Sequence, residues 1–412
     1  MPVFSRRSAF ALLLLSGSAL SLLRPAAAAD EKSVTIGVDL PLTGTQADTA
    51  NLVRWGMQSA VDELNAKGGA GGYHLNVLML DDGTTTAGQY DPAQAAINAR
   101  KMVSDTTVVA AIGPMNSGSA KAMTPILSQG GLATITPSST NPDLTSPKFA
   151  AIYHPVGPVI FFRTVTTDAY QGPNMANFFA ETLKLKSVYI LDDSGAYGVG
   201  LADAFEGQAR KKGLTVLGRD RLDPKQADYS AILTKIKSLA PDALYVGADA
   251  QAGVKLMKQG YDIIPSVVKG GGDGFFGPEL LTAGGFPAAE GWYSTIASPH
   301  VTENPDVAPW VQTYTDKYGR QPSDYAITAY DGVKVIADAI DRVAKTGPVT
   351  RAAVRTAIQT AKVPTLQGVV SFDENGDLAS RTVSVFQIKH DEKFAAGDVI
   401  HQYKYIGVAP QE

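Results

Sequence analysis

The sequence predicts an α/β protein of two lobes, each built on a parallel sheet covered by helices on both faces. Three observations carry this: a strand-then-helix rhythm from Ser33 to Thr136, the same rhythm restarting near Val188, and 412 residues with 44% apolar content, enough for two cores. In the first run SVTIGVDL reads as a buried strand, and NLVRWGMQSAVDELNAKGG has a helical period stopped by Gly68-Gly69. YHLNVLML is a strand, PAQAAINARKMVSD a helix, VVAAIGP a strand, GSAKAMTPILSQG a helix and LATIT a strand. In the second run SVYILDD, LTVLGRDRL, DALYVGA and PSVVKGG read as strands, and LADAFEGQARKKG, YSAILTKIKSLA and VKLMKQG as helices. Between the runs FFRTVTTDAYQGP, residues 161–173, is polar and turn-rich and reads as a crossing between domains. Another break is expected at 294–301, ahead of a helical region over 308–346. GVVSFDENGDLASRTVSVFQI has two strand-like runs around Asn375-Gly376, which predicts a hairpin.

Residues 1–29 stand apart. Arg6 and Arg7, an apolar stretch too short to span a membrane, and the small residues Ala26 to Ala29 together predict a secretory signal cleaved after Ala29; the export route is left open. Cysteine is absent, which excludes disulfides, thiol catalysis, thiolate metal sites and lipid attachment at a cysteine. Losing Arg6, Arg7 and Arg24 with the signal moves the formal charge from −4 to −7. An acidic chain without basic runs argues against nucleic acid and anionic membrane surfaces as partners.

In open parallel sheets, ligands sit beyond the carboxyl ends of the strands. That rule selects GPMNSGSA, residues 113–120, and ITPSSTNP, residues 135–142. The first opens a helix at Ser117. The second boxes Ser138, Ser139 and Thr140 between Pro137 and Pro142, which restrict the backbone. Helix N–H groups and hydroxyls side by side would hold a carboxylate, although serine and threonine also serve as caps and turn residues everywhere. Asp273 in GGGDGFFG is a carboxylate among glycines, suited either to a solvated turn or to a ligand ammonium. The glycine spacing there matches a dinucleotide fingerprint only formally, since no acid follows about 20 residues on. Tyr197 in LDDSGAYG and Asp249 in VGADAQAG occupy two further strand-end loops, whereas Asp81-Asp82 and Asp192-Asp193 read as capping and turn residues. No metal spacing is found: DENGDL has Leu378 where a calcium loop needs glycine, and the five histidines are scattered. No cofactor is expected, and the common hydrolase signatures are missing.

VTIGVDLPLTG, ELNAKGGAGGYHLNVLMLDD, AAIGPMNSGSA, ITPSSTNPDLT, YQGPNMA and FDENGDL resemble the exported leucine/isoleucine/valine-binding proteins, the substrate-binding components of ABC importers, over nearly the whole mature chain. The resemblance implies a type I periplasmic-binding fold: two α/β lobes joined by three crossings, one holding residues 30–167 and 297–382, the other 168–296 and 383–412. It implies a monomer in the periplasm that captures an amino acid and delivers it to a permease and its ATPase. By motif, Ser117, Ser138, Ser139 and Thr140 fall where the family grips the α-carboxylate, with the Ser138 carbonyl offered to the ammonium. Asp273 replaces a glutamate that pairs with the ammonium, Tyr197 matches a pocket tyrosine, and Asp168 matches an acid at the first crossing. Asp249 stands where leucine binders place an aromatic ring, and a carboxylate is costly against a bare aliphatic side chain. The expected ligand class is therefore an amino acid, branched-chain or more polar. Rival readings are a ligand-sensing subunit of the same fold and a small-molecule hydrolase.

Overall fold

The computed structural model describes residues 32–411, so the signal-peptide reading of residues 1–29 lies outside the described residues. The chain begins with β1 (Ser33–Leu40), α1 (Ala47–Ala66), β2 (His74–Asp81), α2 (Pro92–Ser104), β3 (Val108–Ile112), α3 (Ser117–Gln129) and β4 (Thr134–Thr136). After the single turn α4 (Ala150–Tyr153), β5 (Phe161–Arg163) completes a parallel five-stranded sheet in the order β2-β1-β3-β4-β5. Seven of the eight residues of β1 and all five of β3 are buried, as a sheet covered on both faces requires.

The second half runs α5 (Asp168–Asn177), β6 (Ser187–Asp192), α6 (Ala196–Lys211), β7 (Thr215–Arg221), α7 (Ser230–Leu239), β8 (Ala243–Gly247), α8 (Ala250–Ile263), β9 (Val268–Gly271) and β10 (Tyr293–Ile296). The helices α9 (Ala308–Tyr318), α10 (Asp324–Ala344) and α11 (Arg351–Gln359) then return to the first half, where α10 packs on α1. They are followed by β11 (Lys362–Thr365), β12 (Gly368–Ser371), β13 (Ser384–Ile388), the short α12 (Val399–Gln402) and β14 (Tyr403–Val408). The second sheet has the order β14-β13-β10-β9-β8-β6-β7; its five central and outer strands β6 to β10 are parallel, and β13 and β14 add an antiparallel edge. The chain thus passes between the two sheets after β5, after β10 and between β12 and β13. Open α/β sheets of this kind are the predicted fold class.

Two expectations are corrected. The stretch 161–173 does carry the first passage between the sheets, but it is not turn-rich: it contains β5 and the first six residues of α5, and only residues 164–167 between them lie outside both elements. Its helix-breaking Gly172-Pro173 pair is overridden by tertiary packing, because α5 buries Gln171, Met175, Ala176 and Asn177 and lies against α6. Nor do the runs flanking Asn375-Gly376 form a hairpin. GVVS pairs with Lys362–Thr365, and SVFQI pairs with β10 and β14, leaving only an isolated bridge between Phe372 and Leu378. The turn itself is real: the Asp373 carboxylate accepts from the N–H groups of Asn375 and Asp377 at 2.9 and 3.0 Å, and Gly376 adopts φ +94°. It docks on β5 instead, where the Arg163 N–H donates to the Gly376 carbonyl at 3.2 Å.

Candidate functional site

The carboxyl ends of β1, β3 and β4 face those of β6, β8 and β9 across one cavity. The five-stranded half contributes Gln46 and Thr49 at the start of α1, Met115, Asn116 and Ser117 at the start of α3, Ser138 after β4, and Tyr325 in the first turn of α10. The seven-stranded half contributes Tyr197 on α6, Asp249 immediately before α8, Asp273, Gly274 and Phe276 after β9, and Glu279. Water centres can occupy about 40 Å³ of it, several times the ~10–15 Å³ that one water needs. That suits a compact small molecule.

The boxed hydroxyl loop is fixed from beneath by Arg163, whose side chain is fully buried. Its Nη1 donates to the Ser139 carbonyl at 2.7 Å, Nη2 to the Asn141 carbonyl at 2.9 Å and to the Thr145 hydroxyl at 2.7 Å, and Nε to Asp377 at 2.7 Å. The Ser138 hydroxyl donates to the Met115 carbonyl at 2.9 Å, and the Ser139 hydroxyl to the carbonyls of Pro114 and Met115 at 2.9 and 3.1 Å. Both serines therefore spend their hydrogens tying the two site loops together, and Ser139 lies outside the cavity lining. Ser117 Oγ accepts from the Asn141 N–H at 3.2 Å, which leaves its own hydrogen available, whereas Thr140 is fully buried, lies outside the cavity lining and faces the Asp168 carboxyl. The first N–H groups of α3 have no partner within the helix.

Of the three acids that line the cavity, Asp273 accepts the most hydrogen bonds. Its Oδ1 accepts from the Tyr197 hydroxyl at 2.6 Å and from Gln171 Nε2 at 3.0 Å, and its Oδ2 from the Tyr325 hydroxyl. The glycine run around it exists for close approach: a Cβ on Gly272 would stand 2.4 Å from the Tyr197 hydroxyl, and one on Gly274 2.2 Å from the Ala248 carbonyl. Gln171 Nε2 also donates to Asp168 at 2.8 Å, so Asp168 sits behind Asp273 and outside the cavity lining. Burial, reinforced by the Asp273 charge and opposed by Thr140 and Gln171, pushes the Asp168 carboxyl up to about 8. Burial also raises Asp273 itself.

A second group of acids was only partly visible in the sequence. Asp249 Oδ1 accepts from Gln46 Nε2 at 3.1 Å and Asn116 Nδ2 at 3.3 Å, while Asp249 Oδ2 has no partner. Burial, with the charges of Asp193 and Asp273, raises it well above the carboxylate range. Both Glu279 oxygens lie 2.9 Å from the single Thr49 hydroxyl, and burial pushes this carboxyl up to about 7. Asp249, Asp273 and Glu279 all belong to the seven-stranded half, yet each accepts from neutral donors of the other half: Gln46 and Asn116, Tyr325, and Thr49 respectively. No Lys, Arg or His is among the lining residues.

Sequence reasoning missed Gln46, Thr49, Phe276, Glu279 and Tyr325, and did not single out Asn116 within its quoted loop. The strand-end rule applied to the loop after β1 finds Gln46 and Thr49. Tyr325 opens a helix that follows no sheet strand, so no local signal marks it.

These raised carboxyls set a pH dependence. Asp82 at about 7, Asp168 at about 8, Glu279 at about 7 and Asp331 at about 6 are all lifted chiefly by burial. A carboxyl whose folded pKa exceeds its unfolded value of ~4 stabilises the folded chain fully below that value and loses the contribution as pH rises through the folded pKa. Glu63, where Lys67, Tyr330 and Lys334 outweigh burial and bring the pKa to about 2, changes charge below this window; His154, pushed down by burial, opposes the trend. The ligand-free protein is expected to melt at a lower temperature at pH 8 than at pH 5. A melting series across that range checks it, and a midpoint that rises with pH contradicts it.

The profile of the family described as periplasmic binding protein matches residues 33–394. The chain is 34% identical to the Leu/Ile/Val-binding protein BraC3 of Rhizobium johnstonii, over 89% of this chain and 93% of that protein. It is 32% identical to Leu/Ile/Val-binding protein homolog 3 of Brucella melitensis, over 91% and 97% respectively. Among solved structures, the leucine-binding protein LivK of Thermotoga maritima superposes with a TM-score of 0.78 at 27% identity, covering 91% of this chain and 98% of that one. A solute-binding protein of Rhodopseudomonas palustris solved with benzoate shares the fold with a TM-score of 0.76 at 19% identity, covering 92% and 97%.

Proposed function

Because the chain belongs to the periplasmic binding protein family, we propose that its cavity captures an amino acid between two closing lobes and that the closed form delivers it to an ABC-type permease with its ATPase. The lobes are residues 30–167 with 297–382, and 168–296 with 383–412; residues 1–29 are the export signal that places the mature protein in the periplasm. The observation that carries the reading is Asp273, a buried carboxylate oriented by Tyr197, Tyr325 and Gln171 on the same cavity as the opening turn of α3.

In this reading the ligand carboxylate takes the free hydrogen of Ser117 and the unpaired N–H groups of α3, where the helix dipole also favours negative charge, while Thr140 serves the Asp168 carboxyl behind the site. The ammonium takes the remaining lone pairs of Asp273 and the Ser138 carbonyl. Ser138 acts through its carbonyl, since its hydroxyl is committed to holding the α3 loop, and Ser139, whose carbonyl takes Arg163 and whose N–H donates to Thr136, positions the loop without touching the ligand. Ligand that touches both lobes favours the closed state in proportion to its differential affinity for it, and the permease reads the closed shape. No bond is made or broken, and neither serine hydroxyl of the loop has a basic side chain to activate it.

A thermal-shift screen of the mature protein against amino acids, amides and aromatic carboxylates tests this. Ligand at a hundredfold excess over its Kd stabilises by about 2.7 kcal/mol, so a true ligand raises the melting temperature clearly. Compounds with both an α-amino group and a carboxylate are expected to respond. A response confined to benzoate-like acids without an amine overturns the role of Asp273.

A further inference from the structure

Resting on the amino-acid reading above, a second feature of the cavity defines the side chain it takes. Beside the proposed head-group site lie Gln46, Thr49, Asn116, Asp249 and Glu279. Asp249 is 5% exposed and Asn116 6%; both line the cavity, and each has a buried oxygen with no hydrogen-bond partner, Oδ2 and Oδ1 respectively. Glu279, equally buried, has one hydroxyl hydrogen to serve two carboxyl oxygens. The side-chain donors that reach this cluster are two amides and one hydroxyl, and none carries charge.

The inventory is therefore one-sided. Once the two acids ionise, the unsatisfied atoms are acceptors, the acids lack a counter-cation, and buried acceptors left without donors oppose closure. An aliphatic side chain offers them nothing. A hydroxyl or amide offers one or two hydrogens and no charge. A terminal ammonium or guanidinium offers three or more hydrogens and a full positive charge, which matches two carboxylates and an amide oxygen around one space.

We propose that this protein binds an amino acid whose side chain ends in a cation, with Asp249 and Glu279 as the counter-charges and Asn116 as a further acceptor. The resting contacts with Gln46, Asn116 and Thr49 hold the two acids in place, and the incoming cation completes them.

The test is calorimetric titration of the wild-type protein with L-lysine, L-ornithine and L-arginine beside L-norleucine, which matches lysine without its terminal amine, and agmatine, which keeps the guanidinium and lacks the carboxylate. At least one basic amino acid is expected to bind a hundredfold or more tighter than norleucine. Asp249→Asn and Glu279→Gln, each checked for folding by circular dichroism, are expected to shrink that ratio at least tenfold. Norleucine or leucine binding as tightly as the basic amino acids overturns the proposal while leaving the head-group reading intact, as do variants that keep the full ratio. Agmatine binding as tightly as arginine removes the need for a carboxylate seat and overturns both.

Discussion

Asp273→Ala is expected to lower affinity for the amino-acid ligand by about ten- to a hundredfold, because a charge-assisted hydrogen bond contributes roughly 1.5–3 kcal/mol and each 1.4 kcal/mol is tenfold. The substitution removes the counter-charge for the ammonium and also strands the donors of Tyr197, Tyr325 and Gln171, which converge on that one carboxyl. Asp273→Asn separates these effects: it keeps an acceptor for the tyrosines and loses the charge. Calorimetry should show both variants impaired with alanine the worse. Unchanged affinity in both would remove Asp273 from the site.

The second large effect is on stability. Arg163→Met is expected to destabilise the protein by about 3–5 kcal/mol, the range for removing one partner of a buried charged network. The guanidinium satisfies the carbonyls of Ser139 and Asn141 and the Thr145 hydroxyl, all buried, and joins the 372–378 turn to β5 through Asp377. Methionine fills part of the volume and leaves these acceptors bare. Denaturant unfolding should show the loss, and ligand affinity should fall with it because the 138–141 loop loses its support. A destabilisation under 1 kcal/mol would mean that the loop holds its shape without the arginine.

The sequence was most readable where local pattern and tertiary role coincide. The strands β3 and β8 are continuous apolar runs because helices cover both sheet faces, so burial left its mark directly on the residues. The strand-end rule reached Ser117, Ser138, Tyr197, Asp249 and Asp273, which the structure brings to one cavity, because parallel sheets present their ligand loops at one end. What could not be read depends on partners far along the chain. The helix α5 forms across a Gly-Pro pair because α6 packs on it, and β13 chooses β10 and β14 over its sequence neighbour. Arg163 reads as an ordinary basic residue at a strand end until the loop it holds is folded over it. Glu279 and Tyr325 are site residues only because the two halves meet, with Thr49 on one acid and the Tyr325 hydroxyl on another.

The most direct test of the account is a crystal structure of the mature protein with the tightest-binding compound from the screen. The account predicts the α-ammonium within about 3.2 Å of the Asp273 carboxyl, the ordinary reach of a charged hydrogen bond. It places the carboxylate on Ser117 and the first turn of α3. A ligand seated in the reverse sense, with its acid toward Asp273, or bound outside this cavity, would contradict it.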